Sequence, residues 1–194
     1  MKKILSLLAL LMLCVVGANA WTVNYALAEG DTFTSGQTVE VKNGDAVVAT
    51  ITYGESGGAD FNAAKKYTGI EGYTAFTEGN GTNGNKTGGT FYTITPKVDA
   101  TISVAVCLNA DKAFYIEEDG TALEAYNGIK VDAKYYGTYE FDATADKAYK
   151  VYCAGSKLGF FGFEMTFTVG GGEEPPVVTT TKTIALVPGP WDVN

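Results

Sequence analysis

The pattern that most constrains this chain is a two-residue alternation of apolar and polar side chains, interrupted at short intervals by turn residues. Because successive side chains of a strand point to opposite faces, this period predicts strands with one buried face. Around ten short strands at this spacing predict an all-β fold, an antiparallel β-sandwich of jelly-roll-like type. The alternating runs are 21–26, 37–42, 46–53, 89–96, 101–108, 112–117, 122–126, 129–131, 135–142, 147–153 and 158–169.

Turn residues and apolar positions give this prediction detail. Asn43-Gly44-Asp45 and Glu118-Asp119-Gly120 each predict a tight turn between two strands. The segment 60–67, which contains two alanines, is compatible with one short helix. The alternation predicts that the two sheets enclose Ile94, Val104, Val106, Phe141, Val151, Phe161, Phe163 and Phe167.

Four segments of different composition predict the domain organisation. Residues 1–20 combine two lysines, an apolar run and a small-x-small ending, as in a secretory signal. Residues 21–169 form the β-sandwich module, 170–181 a Gly-, Glu- and Pro-rich linker, and 182–194 the start of a truncated following domain. We expect the protein to be secreted or on the cell surface. A single-pass anchor or a lipid anchor at Cys14 remains an alternative.

Charge and missing residue types exclude several functions. The sequence has no His and all fourteen basic residues are Lys, and loss of the leader changes the formal charge from −8 to −10. Such an acidic chain is a poor partner for phosphate backbones, so we expect no nucleic-acid partner. Without His, mechanisms that pair Ser or Cys with His, and metal sites built on His, are excluded.

Carboxylates and cysteines carry the remaining chemistry. Glu117, Glu118 and Asp119 are adjacent, but their position before a glycine favours a solvated hairpin tip over a catalytic pair. The same alternation places Cys107 and Cys153 on different faces, which favours two separate thiols and leaves their pairing open. We expect no cofactor, although a structural calcium ion near Asp142 and Asp146 remains possible.

A long excursion between strands, residues 54–89, supplies a candidate binding loop. Its Gly-rich end allows close backbone approach to a ligand, and its amides can match sugar hydroxyls. Tyrosine rings that face away from the core can stack on sugar rings. The predicted ligand-binding residues are Glu78, Asn80, Asn83, Asn85, Lys86, Tyr115, Tyr136, Tyr152 and Lys157.

Three segments, 135–141, 150–163 and 89–120, carry a resemblance to a known group of proteins. They resemble the β-sandwich accessory modules of secreted Bacteroidetes polysaccharide-degrading proteins. The resemblance implies a non-catalytic carbohydrate-binding module, with plant cell-wall polysaccharide as ligand and a covalently linked glycoside hydrolase or polysaccharide lyase as partner. We expect a monomer. A structural spacer or surface-interaction domain without a sugar ligand is the alternative, and a carboxylate-only enzyme is a third possibility.

Overall fold

The computed structural model describes residues 20–54, 60–65, 69–78, 90–155 and 157–168. The predicted leader (except Ala20), linker and following segment lie outside these residues. No helix in this part of the chain is long and apolar enough to cross a membrane. Its strands are β1 Ala20–Ala26, β2 Thr32–Phe33, β3 Thr38–Asn43, β4 Ala46–Gly54, β5 Phe61–Asn62, β6 Ala64–Lys65, β7 Ala75–Phe76, β8 Phe91–Pro96, β9 Ala100–Leu108, β10 Ala113–Glu118, β11 Thr121–Ile129, β12 Tyr135–Ala143, β13 Tyr149–Ala154 and β14 Gly159–Thr168.

Two antiparallel sheets confirm the predicted sandwich. One has four strands in the order β1-β14-β9-β12, and the other has six in the order β11-β10-β13-β8-β4-β3. Two-stranded pairs β2-β5 and β6-β7 accompany them. The predicted separate strand at 129–131 is wrong, because β11 continues without a break to Ile129.

Tight turns join neighbouring strands where the sequence predicted them. Gly44 has a positive φ of 60° between β3 and β4. Asp119 and Gly120 have φ values of 46° and 87° between β10 and β11. Two consecutive positive φ values are typical of a two-residue hairpin turn, which the Asp-Gly pair accommodates.

The main core lies between the two sheets and confirms most of the predicted buried positions. Its side chains come from alternate positions of both sheets, so the period of two in the sequence is the period of burial. Seven of the eight predicted residues belong to it: Ile94, Val104, Val106, Phe141, Val151, Phe163 and Phe167.

Phe161 is the exception, and a β-bulge is the reason. Phe160 pairs with Val106 and Gly162 with Ala105, which leaves Phe161 as an extra residue on β14. The bulge turns Phe160 into the main core and Phe161 to the other side of the sheet. Gly162 has φ 136°, and a Cβ there would lie 1.9 Å from the carbonyl oxygen of Tyr25. Only glycine fits at this position.

Residues 69–78 of the excursion after β4 pack on the outer face of the four-stranded sheet. Tyr73 is buried there with Ala105, Cys107 and Phe161, and Ile70, Phe76 and Tyr136 pack around this second cluster. The expected helix over 60–67 is wrong, because Phe61–Asn62 and Ala64–Lys65 are strands. Phe61 is fully buried in the main core and pairs with Phe33.

No disulfide joins Cys107 and Cys153, as the alternation predicted. Cys107 lies in the second cluster outside the four-stranded sheet, and Cys153 lies in the main core. A sheet therefore separates the two sulfurs.

Candidate functional site

The outer face of the six-stranded sheet carries three aromatic side chains side by side, which we call the aromatic row: Tyr115, Tyr152 and Phe91. Tyr115 of β10 pairs with Tyr152 of β13, and Tyr152 pairs with Phe91 of β8. Their strand neighbours Phe114, Val151 and Tyr92 point into the core, so the row points outward. The rings of Tyr115 and Tyr152 are stacked at 5.1 Å with 10° between their planes.

Glycines on the neighbouring strands give the two outer rings of the row their positions. A Cβ at Gly54, the cross-strand partner of Phe91, would lie 2.0 Å from the Phe91 ring. A Cβ at Gly128 of β11 would lie 2.9 Å from the Tyr115 hydroxyl. Both rings therefore extend sideways over strand backbone that lacks a side chain. The row with its two glycines crosses five strands, about 19 Å at the usual strand spacing of about 4.8 Å.

Tyr152, the central ring, is held most firmly. Its hydroxyl donates a hydrogen bond of 2.6 Å to Glu117 Oε1, and its side chain is 1% exposed. Burial raises the pKa of Tyr152, and the bond to the Glu117 carboxylate raises it further. The hydroxyl is thus protonated and fixed as a donor, while Tyr115 and Phe91 remain partly exposed.

One cation lies on the row. The Lys150 ammonium is 4.3 Å from the centre of the Phe91 ring and 5.1 Å from the centre of the Tyr152 ring. Both distances are within the range of cation–π attraction. The row therefore combines apolar ring faces with one positive charge at its middle.

Threonines extend the same face beyond Lys150. Thr93 of β8 pairs with Lys150, and Thr52 of β4 pairs with Thr93. The Thr52 hydroxyl lies 2.8 Å from the hydroxyl of Thr38 on β3. This face thus offers hydroxyl groups beside the aromatic row.

The structure divides the residues predicted from sequence between two faces. Tyr115 and Tyr152 belong to the aromatic row. Tyr136 of β12 lies on the outer side of the four-stranded sheet, where its ring packs against the second cluster, 5.7 Å from the Lys134 ammonium. These tyrosines therefore do not form one site. Their role in binding stays a prediction.

Glu78 and Lys157 lie outside the aromatic row. Glu78 is exposed at the end of the excursion, and Lys157 is partly buried between β13 and β14. The pKa of Lys134 is raised, chiefly by Cys107, then by its hydrogen bond with Tyr136, and to a smaller extent by Glu78. Glu78 thus acts on the Tyr136 side of the sandwich. Four predicted residues lie outside the described part of the chain: Asn80, Asn83, Asn85 and Lys86.

Sequence reasoning missed three residues of this face: Phe91, Glu117 and Lys150. The signal for Phe91 and Lys150 was present, since Phe91 alternates with buried Tyr92 and Lys150 with buried Val151. Glu117 was assigned to the hairpin tip together with its two acidic neighbours. It is the outward residue of β10 two positions after Tyr115.

Each carboxylate of the acidic triplet is bound by a different group of the chain. Glu117 accepts from Tyr152, and Glu118 accepts a 2.9 Å bond from the Tyr149 hydroxyl. Asp119 forms an ion pair of 2.6 Å with Lys147 and accepts from the backbone of Ala148. These four partners stabilise the hairpin and the sheet around it.

The two aspartates considered for calcium also have partners within the chain. Asp142 accepts from the Thr101 hydroxyl at 3.1 Å, and Asp146 forms an ion pair of 2.9 Å with Lys97. Among the residues that the structure describes, no group of three or more Asp, Glu, Cys or His side chains could hold a metal ion.

Comparisons with known proteins add little to this geometry. No family model matches the chain, and no curated protein matches it. Among solved structures, it is similar to the isomalto-dextranase of Arthrobacter globiformis T6 complexed with panose, with a TM-score of 0.35 and 12% sequence identity. The match covers 76% of this chain and 32% of the enzyme chain. A likeness at this level assigns neither a family nor an activity.

Proposed function

We propose that this chain is a non-catalytic carbohydrate-binding module of a secreted polysaccharide-degrading protein, and that it binds plant polysaccharide on the aromatic row. One observation carries the proposal. Three aromatic side chains stand side by side on the outer face of a sheet, and Tyr115 and Phe91 keep part of their surface exposed. Side chains that face away from a core need not be aromatic for the fold to form.

The chemistry of the row suits sugar rings. A pyranose presents apolar C–H faces, which pack on aromatic rings, and a rim of hydroxyls, which need hydrogen-bond partners. Tyr115 and Phe91 offer partly exposed aromatic surface, while Lys150 and the threonines beside it offer polar partners. The width of the row suits several consecutive sugars better than one.

Binding should be weak. By analogy with aromatic pairs, a stacked ring contributes about 0.5–1.5 kcal/mol beyond burial. Sugar hydroxyls exchange water for protein partners with little net gain. We expect a Kd of about 10 μM to 1 mM, or about −4 to −7 kcal/mol. Such values suit a tether that releases and rebinds, with avidity from neighbouring modules of the same protein.

The acidic triplet supports the non-catalytic part of the proposal. Glycoside hydrolysis requires two carboxyl groups that face one substrate across a cleft. Glu117, Glu118 and Asp119 instead accept bonds from Tyr152, Tyr149 and Lys147. Catalysis is therefore assigned to a covalently linked domain, and the leader-like sequence of residues 1–20 supports export of the whole protein.

Affinity electrophoresis in gels that contain soluble plant polysaccharides tests this proposal. The chain should be retarded by at least one glucan, xylan or pectin, and Tyr115→Ala should lose that retardation. Tyr136→Ala is the matched control, because it removes a partly buried tyrosine from the opposite outer face. Loss of retardation in Tyr136→Ala but not in Tyr115→Ala would move the site to the other sheet. No retardation by any polysaccharide, together with no binding at millimolar oligosaccharide, would overturn the proposal.

A structural spacer is the second candidate, and the burial of Tyr152 favours it. A ring that is 1% exposed and bonded to Glu117 stabilises the sheet whether or not a ligand is present. The two candidates differ at Tyr115 and Phe91. In a spacer, their replacement changes only stability, whereas in a binding module it changes affinity as well.

A further inference from the structure

We infer that the aromatic row prefers acidic polysaccharides, in which uronate carboxylates pair with Lys150, over neutral ones. This inference rests on the proposed function and names the ligand class of the same face. The observation behind it is the position of the Lys150 ammonium over two aromatic rings.

Three lysines of the described chain form ion pairs, and Lys150 differs from them. Lys42, Lys97 and Lys147 have carboxylate oxygens at 3.0, 2.9 and 2.6 Å. None of the ion pairs within the described residues includes Lys150. Within the described residues, the Lys150 ammonium lies over two aromatic rings and in no ion pair, so its charge faces ring surfaces rather than an anion.

The acid directly opposite Lys150 on the neighbouring strand does not serve as that anion. Glu117 is the direct cross-strand partner of Lys150, yet its carboxylate accepts the Tyr152 hydroxyl at 2.6 Å. This bond occupies Oε1 of Glu117, and none of the ion pairs among the described residues joins Glu117 to Lys150. A positive charge with one side against aromatic rings therefore remains open to a ligand.

The position of the charge selects which part of a sugar it meets. A sugar that packs on the exposed part of the row beside Lys150 brings the substituents of its rim next to the ammonium. A uronate carries its carboxylate on that rim. A hydrogen bond between an ammonium and a carboxylate is about twice as strong as one between neutral groups. A neutral sugar would present only a hydroxyl at the same place.

The negative charge of the whole chain opposes long-range attraction of a polyanion. The formal net charge is −8, but exposed charges farther apart than about 8 Å are largely screened at physiological ionic strength. A contact pair over aromatic rings is screened less. The preference for acidic glycan should therefore be measured near 0.15 M salt, the ionic strength to which that screening length of about 8 Å applies.

The experiment compares polygalacturonate with its methyl ester by affinity electrophoresis and calorimetry on the whole chain. Esterification removes the charge and leaves the sugar backbone unchanged. We expect the acid to bind at least about fivefold more tightly than the ester. Lys150→Gln should reduce this ratio to nearly one, with ester affinity changed less than about twofold. Lys97→Gln, an equal charge change in the turn after β8, should keep the preference.

Lys150→Arg separates loss of charge from loss of fold, since it keeps the cation and should keep the preference. Equal or tighter binding of the ester by the unmodified chain would overturn the inference and leave the proposed function standing. Binding of a neutral glucan or xylan, with no binding of polygalacturonate or its methyl ester, would likewise overturn the inference and leave the proposed function standing. A chain that binds no polysaccharide at all would overturn both.

Discussion

The outer faces of the two sheets differ in how far their aromatic side chains are buried. The chain covers the outer face of the four-stranded sheet with its own excursion, so that Tyr73 and Phe161 are buried there. On the six-stranded sheet, the aromatic row keeps two rings partly exposed. Both faces are aromatic, so composition alone does not distinguish them.

The covered face behaves as a small core. Burial raises the pKa of Tyr73 to about 12, and Phe161 stacks on Phe76 at 5.4 Å. Side chains of the same chain thus bury the aromatic rings on this face. On the open face, Tyr115 and Phe91 remain partly exposed. The difference teaches that an outward aromatic residue indicates a binding surface only where the chain has not already covered it.

Truncation of one phenylalanine on each outer face should break the comparison most clearly. Phe161→Ala removes a fully buried ring and should cost about 3–5 kcal/mol of unfolding free energy. Phe91→Ala removes a partly exposed ring and its contact with Lys150, for which we expect about 1–2 kcal/mol. Urea unfolding measures both. Equal losses, or a larger loss at Phe91, would show that the two faces do not differ as described.

The bulge in β14 explains why the sequence did not predict this difference. Strict alternation from Phe163 back along the strand places Phe161 in the main core and Phe160 outside. The structure reverses the two, because Phe161 is an extra residue between Phe160 and Gly162. Because both residues are phenylalanine, the pattern of apolar positions is satisfied in either register, so it does not show which of the two rings enters the main core. The glycine after them marks the irregularity, but its φ of 136° and its close approach to Tyr25 of β1 are visible only in the folded sheet.

Most of the longer strands were predictable because they bury one face, and their ends fall within two residues of the alternating runs; β11, which has no buried residue, ends three residues beyond its run. The short strands β5, β6 and β7 contain two residues each, which is too few to show a period. For the site, alternation predicted that one of Tyr149 and Tyr152 faces away from the core, and the structure shows that it is Tyr152. Burial of its ring follows from Tyr115 and Glu117 on the adjacent strand. Strand order, which local sequence does not encode, decides which side chains become neighbours.

Thiol labelling under native conditions should sharpen the comparison between the outer face beneath the excursion and the main core, by the rates at which their two cysteines react. Cys107 is 7% exposed beneath the excursion, whereas Cys153 is fully buried and burial raises its pKa to about 11. Labelling requires access and a thiolate. Local opening of the excursion exposes Cys107, whereas exposure of Cys153 requires separation of the two sheets. We expect Cys107 to react at least about tenfold faster, as measured by mass spectrometry of alkylated peptides. Equal rates would mean that the excursion opens only when the whole domain unfolds.

Tyr152→Phe should separate stability from binding on the open face. The change keeps the ring and removes its hydrogen bond to the Glu117 carboxylate, at a cost of about 1.5–3 kcal/mol. A double-mutant cycle with Glu117→Gln isolates the pair energy. Because the stacking surface remains, glycan affinity should change less than about threefold. A larger loss of affinity with unchanged stability would show that the hydroxyl or the carboxylate contacts the ligand directly.

The smallest effect is expected at the tip of the hairpin that presents Tyr115. The hydrogen bond from Lys147 to Asp119, followed by that from the backbone of Ala148, lowers the pKa of this carboxyl. A carboxyl with a lowered folded-state pKa stabilises the fold above its unfolded pKa, near 3.9, and loses that contribution as pH falls through the folded value.

Asp119→Asn tests this contribution with the turn preserved, because Asn tolerates the positive φ at this position. The variant should be slightly less stable than the unmodified chain at pH 7, and the difference should disappear as the pH falls below the folded-state pKa of Asp119. Urea midpoints at pH 7 and at pH 2 measure it. Glycan retention should be the same for Asp119→Asn as for the unmodified chain, since the hairpin tip lies beyond the aromatic row. A difference that persists at pH 2 would assign the effect to the turn geometry rather than to the ion pair with Lys147.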